Sequence, residues 1–206
     1  MKIKVKLAVF LLVLLILSSC SLNNLSRQDK LITLQKNLAL WKNFRLDGLA
    51  SLNLAGLSFY KNITVINNED SLKIILYEGG IFGSSPKPFA RVTLADSLSL
   101  ELPFPLPVNK MPDFSHEQLF AQSIGESDYN GIIASHELHN DKTRISFNDR
   151  YLITEISNNG TDFLMKIEYD FNDLPSMIRG FNEKKLLFQI EIDKFSVIDT
   201  INQEKT

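Results

Sequence analysis

Apolar residues recur at three- and four-residue steps between Asp29 and Trp41, at Leu31, Leu34, Leu38 and Trp41, with Ile32 and Leu40 widening the stripe. That spacing predicts an amphipathic helix with one face for burial. Ser26, three residues before Asp29, is placed to cap its start in the manner of a capping box. The period then changes to two. Phe44, Leu46, Gly48, Ala50, Leu52 and Leu54 alternate with Arg45, Asp47, Ser51 and Asn53, broken only by Leu49. This predicts a long half-buried strand, with Gly48 as a bend or bulge. Further strands are expected at Ser58–Ile66, Leu72–Tyr77, Phe89–Leu94 and Leu98–Leu102, separated by turn formers such as Asn67-Asn68-Glu69-Asp70.

Pro103, Pro105, Pro107 and Pro112 then interrupt the pattern, because proline cannot serve a central ladder. Ser115 to Ile124 reads as a short helix, with Gln118 completing a capping box and Gly125 ending it. After a polar segment the alternation resumes at Thr143–Phe147, Tyr151–Ser157, Phe163–Tyr169, Met177–Phe181 and Leu186–Val197. Asn158-Asn159-Gly160 supplies a tight hairpin between two of these. In the last strand Leu186, Phe188, Ile190 and Ile192 are expected on one face and Leu187, Gln189, Glu191 and Asp193 on the other. Short strands joined by short turns imply an antiparallel meander, so the fold class is mainly β with α (α+β), one sheet with helices against one face.

The N-terminus follows neither period. Lys2, Lys4 and Lys6 precede an unbroken apolar run from Leu7 to Leu17. As a helix that run reaches about 16 Å, well short of a bilayer core of about 30 Å. A basic start, a short apolar middle and a small-residue end make a secretory leader. Its end, Leu17-Ser18-Ser19-Cys20, resembles the lipobox of bacterial lipoproteins, and Cys20 is the single cysteine of the chain. The resemblance implies cleavage before Cys20, an S-diacylglycerol and an N-acyl group on that cysteine, and, from Ser21 where retention in the inner membrane favours Asp, delivery to the periplasmic face of the outer membrane. An ordinary leader with a chance cysteine is the bland alternative. The organisation is then a signal peptide over 1–19, a lipidated cysteine and polar tether over 20–28, and one domain over 29–202.

Composition narrows the chemistry. The chain carries 22 basic and 24 acidic side chains, and cleavage removes three of the basic ones, Lys2, Lys4 and Lys6. An acidic balance argues against nucleic acid, whose binding needs a surplus of Lys and Arg, and against recruitment to anionic lipid by charge. One cysteine excludes a disulfide framework and a cysteine-built zinc site. His136-Glu137-Leu138-His139 has its histidines three apart, where a zinc-protease helix needs four, and lies beside the loop formers Asn140 and Asp141; a solvated loop is expected. No Gly-x-Ser-x-Gly elbow or phosphate-cradling loop occurs. Asp47, Glu155 and Glu168 fall on presumed outward strand faces. An enzyme reading lacks nucleophile, base and metal, so none is expected; convergent polar groups in a cleft would revive a hydrolase.

The segment Glu78-Gly79-Gly80-Ile81-Phe82-Gly83-Ser84-Ser85-Pro86 places two large hydrophobes among loop formers. Such a loop either folds back to plug the sheet or enters lipid or a partner's acyl group, at about 1.5–3 kcal/mol per side chain. At this point the order of elements is similar to the LolA/LolB family, whose outer-membrane receptors are of the LolB type. The likeness is carried by Phe44-Arg45-Leu46-Asp47-Gly48 at the place of the family's first strand, and by Leu72 to Leu76 leading into Ile81-Phe82-Gly83 where the family has Pro-Leu-Gly. Leu119 to Gly125 resembles its glycine-ended helix. Tyr151 to Ile156 with Asn159-Gly160 resembles its hairpin, and Leu174-Pro175-Ser176-Met177-Ile178 with the last strand resembles its closing pair.

The resemblance implies an open antiparallel half-barrel of roughly 10–11 strands, with helices covering the concave face. It also implies a membrane- or cargo-insertion loop at Ile81, Phe82 and Gly83, with Ile81 a departure from the family's proline. Acylated lipoproteins would arrive from a soluble periplasmic carrier and enter the outer membrane, to which the protein, as a monomer, is held by its lipid. No cofactor is expected beyond that covalent lipid. Candidates to line an acyl cavity are Leu46, Ala50, Leu52, Phe188, Ile190 and Ile192, each of which could equally be plain core. The competing reading is an accessory or structural outer-membrane lipoprotein on the same fold, binding a protein partner or another lipid.

Overall fold

A computed structural model describes residues 25–54, 57–68, 70–78, 87–102, 124–140, 143–158 and 160–198. The chain begins there with α1 (Arg27–Ala39). Ser26 caps it as expected, its hydroxyl oxygen accepting from the Asp29 N–H at 3.2 Å while the hydroxyl donates to the Asp29 carboxylate at 2.7 Å. Leu34 and Leu38 are its buried positions.

Eleven antiparallel strands follow in chain order: β1 (Phe44–Leu54), β2 (Leu57–Asn67), β3 (Leu72–Tyr77), β4 (Pro88–Leu94), β5 (Leu98–Glu101), β6 (Glu137–His139), β7 (Thr143–Phe147), β8 (Ile153–Asn158), β9 (Phe163–Tyr169), β10 (Pro175–Asn182) and β11 (Lys185–Val197). Their spatial order is β5-β4-β3-β2-β1-β11-β10-β9-β8-β7-β6. The sheet is therefore two meanders joined where the first strand meets the last, and it is not closed into a barrel: an open half-barrel with short helices on its concave face. β5 and β6 form opposite edges although they are consecutive in the chain.

The β1–β11 seam carries the longest-range pairing, from Phe44↔Val197 to Leu52↔Phe188. Its register shifts at Asp47/Gly48. The bulge expected at Gly48 is present, and a Cβ there would stand 2.1 Å from the Glu191 carbonyl oxygen, so only glycine admits that approach.

Two local expectations are corrected. The polar segment before β7 contains a 3-10 turn (Glu126–Asp128), the helix α2 (Tyr129–Ser135) and the edge strand β6. Ile132 is fully buried and anchors α2, but seven residues containing Asn130-Gly131 give too little periodicity to be read as a helix. The second correction concerns Leu186. A register shift between Gly180 and Phe181 leaves Leu187 unpaired and sets Leu186 opposite Phe181, off the face that holds Phe188. The proline-rich stretch and the helix expected from Ser115 lie outside the described residues, except for Ile124, which is buried.

Candidate functional site

Residues directly opposite in an antiparallel pair share a face, so the register defines the concave surface. Along β1 it carries Phe44, Leu46, Gly48, Ala50 and Leu52; along β2, Asn67, Val65, Ile63, Lys61 and Phe59; along β11, Phe195, Ile192, Ile190 and Phe188. The two ends of this surface differ.

At the Phe44 end α1 fills it. Trp41 meets Phe44 and Phe195 edge-on at 5.4 and 5.8 Å between centroids, and Phe44 stacks on Phe195 at 5.4 Å. Two polar side chains tie this end together. The buried Asn67 amide donates to the Trp41 and Lys42 carbonyls at 3.0 and 2.8 Å, tying β2 to the end of α1. The Tyr169 hydroxyl donates to the Ile153 carbonyl at 2.6 Å. Burial pushes its pKa up from the ordinary tyrosine value, against a smaller opposing effect of its hydrogen bond with Trp41. Asn37 on α1 donates to the Arg150 carbonyl at 2.7 Å, and Arg27 to Asn130 of α2 at 2.7 Å.

At the other end the apolar positions are incompletely covered. Leu52 stands opposite both Phe59 and Phe188, and Phe59 is 44% exposed. Phe188 also faces Gly180, and its ring lies so close over that glycine that a Cβ there would be 2.2 Å from the ring edge. The missing side chain lets the ring lie along the sheet rather than stand into the concave space. Lys61, opposite Ala50, holds its ammonium 4.8 Å from the centre of the Phe89 ring.

The six residues nominated as cavity lining therefore share one face across the β1–β11 seam, but in two environments. Leu46, Ala50 and Ile190 are buried within the packed core. Leu52, Phe188 and Ile192 are half-buried. A half-buried apolar floor of this kind can hold hydrocarbon, each methylene it removes from water contributing about 0.8 kcal/mol. Cys20 and the loop residues Ile81, Phe82 and Gly83 lie outside the described residues. The segments flanking that loop are described: Glu78 N–H donates to the Lys87 carbonyl at 2.9 Å, and the Tyr77↔Pro88 pair lies toward the Phe59 end of the sheet.

The convex face carries two clefts that sequence reasoning missed. One, of about 560 Å³, is lined by Leu164, Phe181, Lys166 and Lys184 with Asp162 and Glu183; the other, of about 280 Å³, by Leu49, Tyr60, Leu186, Asn53, Gln189, Glu191 and Ser51. Leu49 interrupting the alternation was the available signal for the second. The displaced register at Leu186 was not legible.

The outward carboxylates lie where alternation put them, bound to cations rather than to one another. Glu155 faces Lys166 at 3.8 Å and Glu168 faces Arg179 at 2.5 Å. Asp47 pairs with Arg45 at 2.9 Å and accepts from Thr64 at 2.6 Å. The Arg45 hydrogen bond is the main reason its carboxyl is held below the ordinary range. His136 and His139 are on no solvated loop. His136 ends α2 in a left-handed conformation (φ 58°), 3.8 Å from Asp149, and His139 is on β6, 2.9 Å from Glu137.

No protein-family model and no curated protein sequence matches the chain. Among solved structures it is similar to a domain described as an outer membrane lipoprotein-sorting protein from Vibrio parahaemolyticus, at 9% identity and a TM-score of 0.38, over 86% of this chain and 96% of that one. A DUF1329 family protein from Desulfovibrio piger aligns at 7% identity and a TM-score of 0.29, over 84% and 94%.

Proposed function

We propose that this protein is a lipid-anchored envelope receptor of the LolB type, which takes the acyl chains of lipoproteins onto the half-buried Phe59 end of its concave face and passes them to the outer membrane. The observation that carries this reading is the half-filled half-barrel: α1 occupies one end, and Leu52, Phe59 and Phe188 are left incompletely covered at the other. The sequence resemblance of the leader, the lipobox and the order of elements supports the remainder, including the tether at Cys20 and a carrier that delivers the cargo. Work of this kind needs no catalytic group and no cofactor beyond the lipid on Cys20. It needs a floor apolar enough to shelter hydrocarbon and open enough to release it.

The Ile81-Phe82-Gly83 loop connects β3 to β4, whose facing ends lie toward the Phe59 end of the sheet. Transfer into a bilayer would then use the same end that receives the chain. A labelled acylated lipoprotein, loaded on its carrier and mixed with this protein and liposomes, tests the reading. Label should move to the protein and then to the liposomes. Phe82→Glu should stop the second step while leaving the folded structure intact. Failure of label to leave the carrier would reject the receptor role.

A second reading has an observation of its own. Leu46, Ala50 and Ile190 are packed in the core, so the protein's own side chains fill the middle of the face. An accessory lipoprotein that docks a partner on the convex clefts would need no more room than that. Normal lipoprotein sorting in cells that lack the protein would favour it.

A further inference from the structure

Lys61 sets a charge among the apolar positions of the concave face. β2 pairs with β3 from Asn62 to Asn67, so Lys61 is the first residue of β2 beyond that ladder, with β1 as its paired neighbour. The register is unbroken from Phe44↔Asn67 to Leu54↔Leu57, which puts Lys61 on the face of Ile63 and Val65, opposite the fully buried Ala50. Other lysines of the described strands, such as Lys73, Lys166 and Lys194, occupy outward positions. Among the register-paired described residues of β1–β5 and β9–β11, the charged side chains at concave positions are Lys61 and Lys185, and Lys185 is exposed beside the β10–β11 turn.

Neither lysine has a described carboxylate within ion-pair distance. The Lys61 ammonium rests over Phe89, a contact that holds it without using its three hydrogen-bond donors. Lys61 thus sets a cation on the face that carries Leu52, Phe59 and Phe188, reaching from β2 toward β4, where an anion would complete it. We infer that Lys61 is the headgroup site of the concave face, and that this face takes a single-chain fatty acid, its carboxylate on Lys61 and its hydrocarbon along Leu52, Phe59 and Phe188. The inference rests on the acyl-binding reading above and extends it, since the lipid of a lipoprotein carries no such charge. One isolated ammonium matches a compact monoanion, and Lys185 at the rim adds attraction of the same sign on the way in.

The test uses the full chain in phosphatidylcholine vesicles, with two photoreactive probes of equal length, a diazirine-tagged palmitic acid and the corresponding alcohol. The acid should label peptides of β1, β2 and β11. Lys61→Gln should lower acid labelling about tenfold, the equivalent of 1.4 kcal/mol, and leave alcohol labelling unchanged, which also reports an intact fold. Lys61→Arg should keep the acid signal, and unlabelled palmitate should compete it away. Equal effects of Lys61→Gln on both probes, or none on either, would overturn the headgroup role while leaving the acyl floor standing. Competition by phosphatidic acid but not by palmitate would overturn the carboxylate as occupant. If neither probe reaches these strands, the acyl-binding reading itself falls and the headgroup site with it.

Discussion

The two ends of one concave surface are built from the same alternating strands and reach opposite states. At the Phe44 end Trp41 closes the face, three aromatic rings interlock, and Asn67 and Tyr169 have their polar groups satisfied. At the Phe59 end nothing comparable covers the pair Leu52–Phe188 among the described residues, and a lysine stands where a hydrophobe would complete a core. The contrast teaches that amphipathic strands specify which face is apolar but not how much of it is filled. Filling is decided by where a helix is laid down. The closed end holds the fold together, and the other end is left half-buried among the described residues.

The largest way to break this division is at the closed end. Trp41→Ala removes the ring that both Phe44 and Phe195 pack against and should cost about 3–5 kcal/mol, read as a lower midpoint in urea unfolding. If the ends are separate in role, any variant molecules that remain folded should still take acyl probe at the open end.

Gly180→Ala sharpens the comparison from the other side. Its Cβ would collide with the Phe188 ring and displace it from the sheet toward the concave space. Stability should fall by about 1–3 kcal/mol, while acyl-probe labelling falls further than the unfolded fraction explains. A loss of labelling in strict proportion to unfolding would mean that the ring does not set the depth of the floor.

The smallest effect belongs to neither end. Asp47 lies on the convex face, and Asp47→Asn should cost about 0.5 kcal/mol, since its pair with Arg45 is largely exposed to solvent screening. Its folded pKa is lowered, so the unfolded chain binds the proton more readily. The contribution is complete above the ordinary carboxylate value and disappears as pH falls through the depressed one. Stability curves of wild type and variant should therefore converge in acid.

Much of the architecture was legible because period two is a strong signal over long strands. β1 at Phe44–Leu54, β3, β7 and β9 begin and end where the alternation does. α2 and β6 were not legible, since a seven-residue helix and a three-residue strand offer barely one period each, and Asn130-Gly131 imitates a turn. Leu186 was misplaced for a different reason. A single unpaired residue reverses every side chain beyond it, and the turn residues Glu183 and Lys184, both at positive φ, give no glycine to announce it.

The chain by itself determined a sheet with one apolar face, a capped helix to lie on it, a glycine at the β1 bulge and outward carboxylates. These follow from side-chain spacing and local backbone chemistry, which act over a few residues. Only the tertiary structure decided that β1 meets β11, that the ladder stays open between β5 and β6, and that Trp41 fills one end and not the other. Those outcomes depend on register and docking between segments far apart in the chain. The same long-range pairing set Lys61 across from Ala50, where one charge stands on an apolar floor.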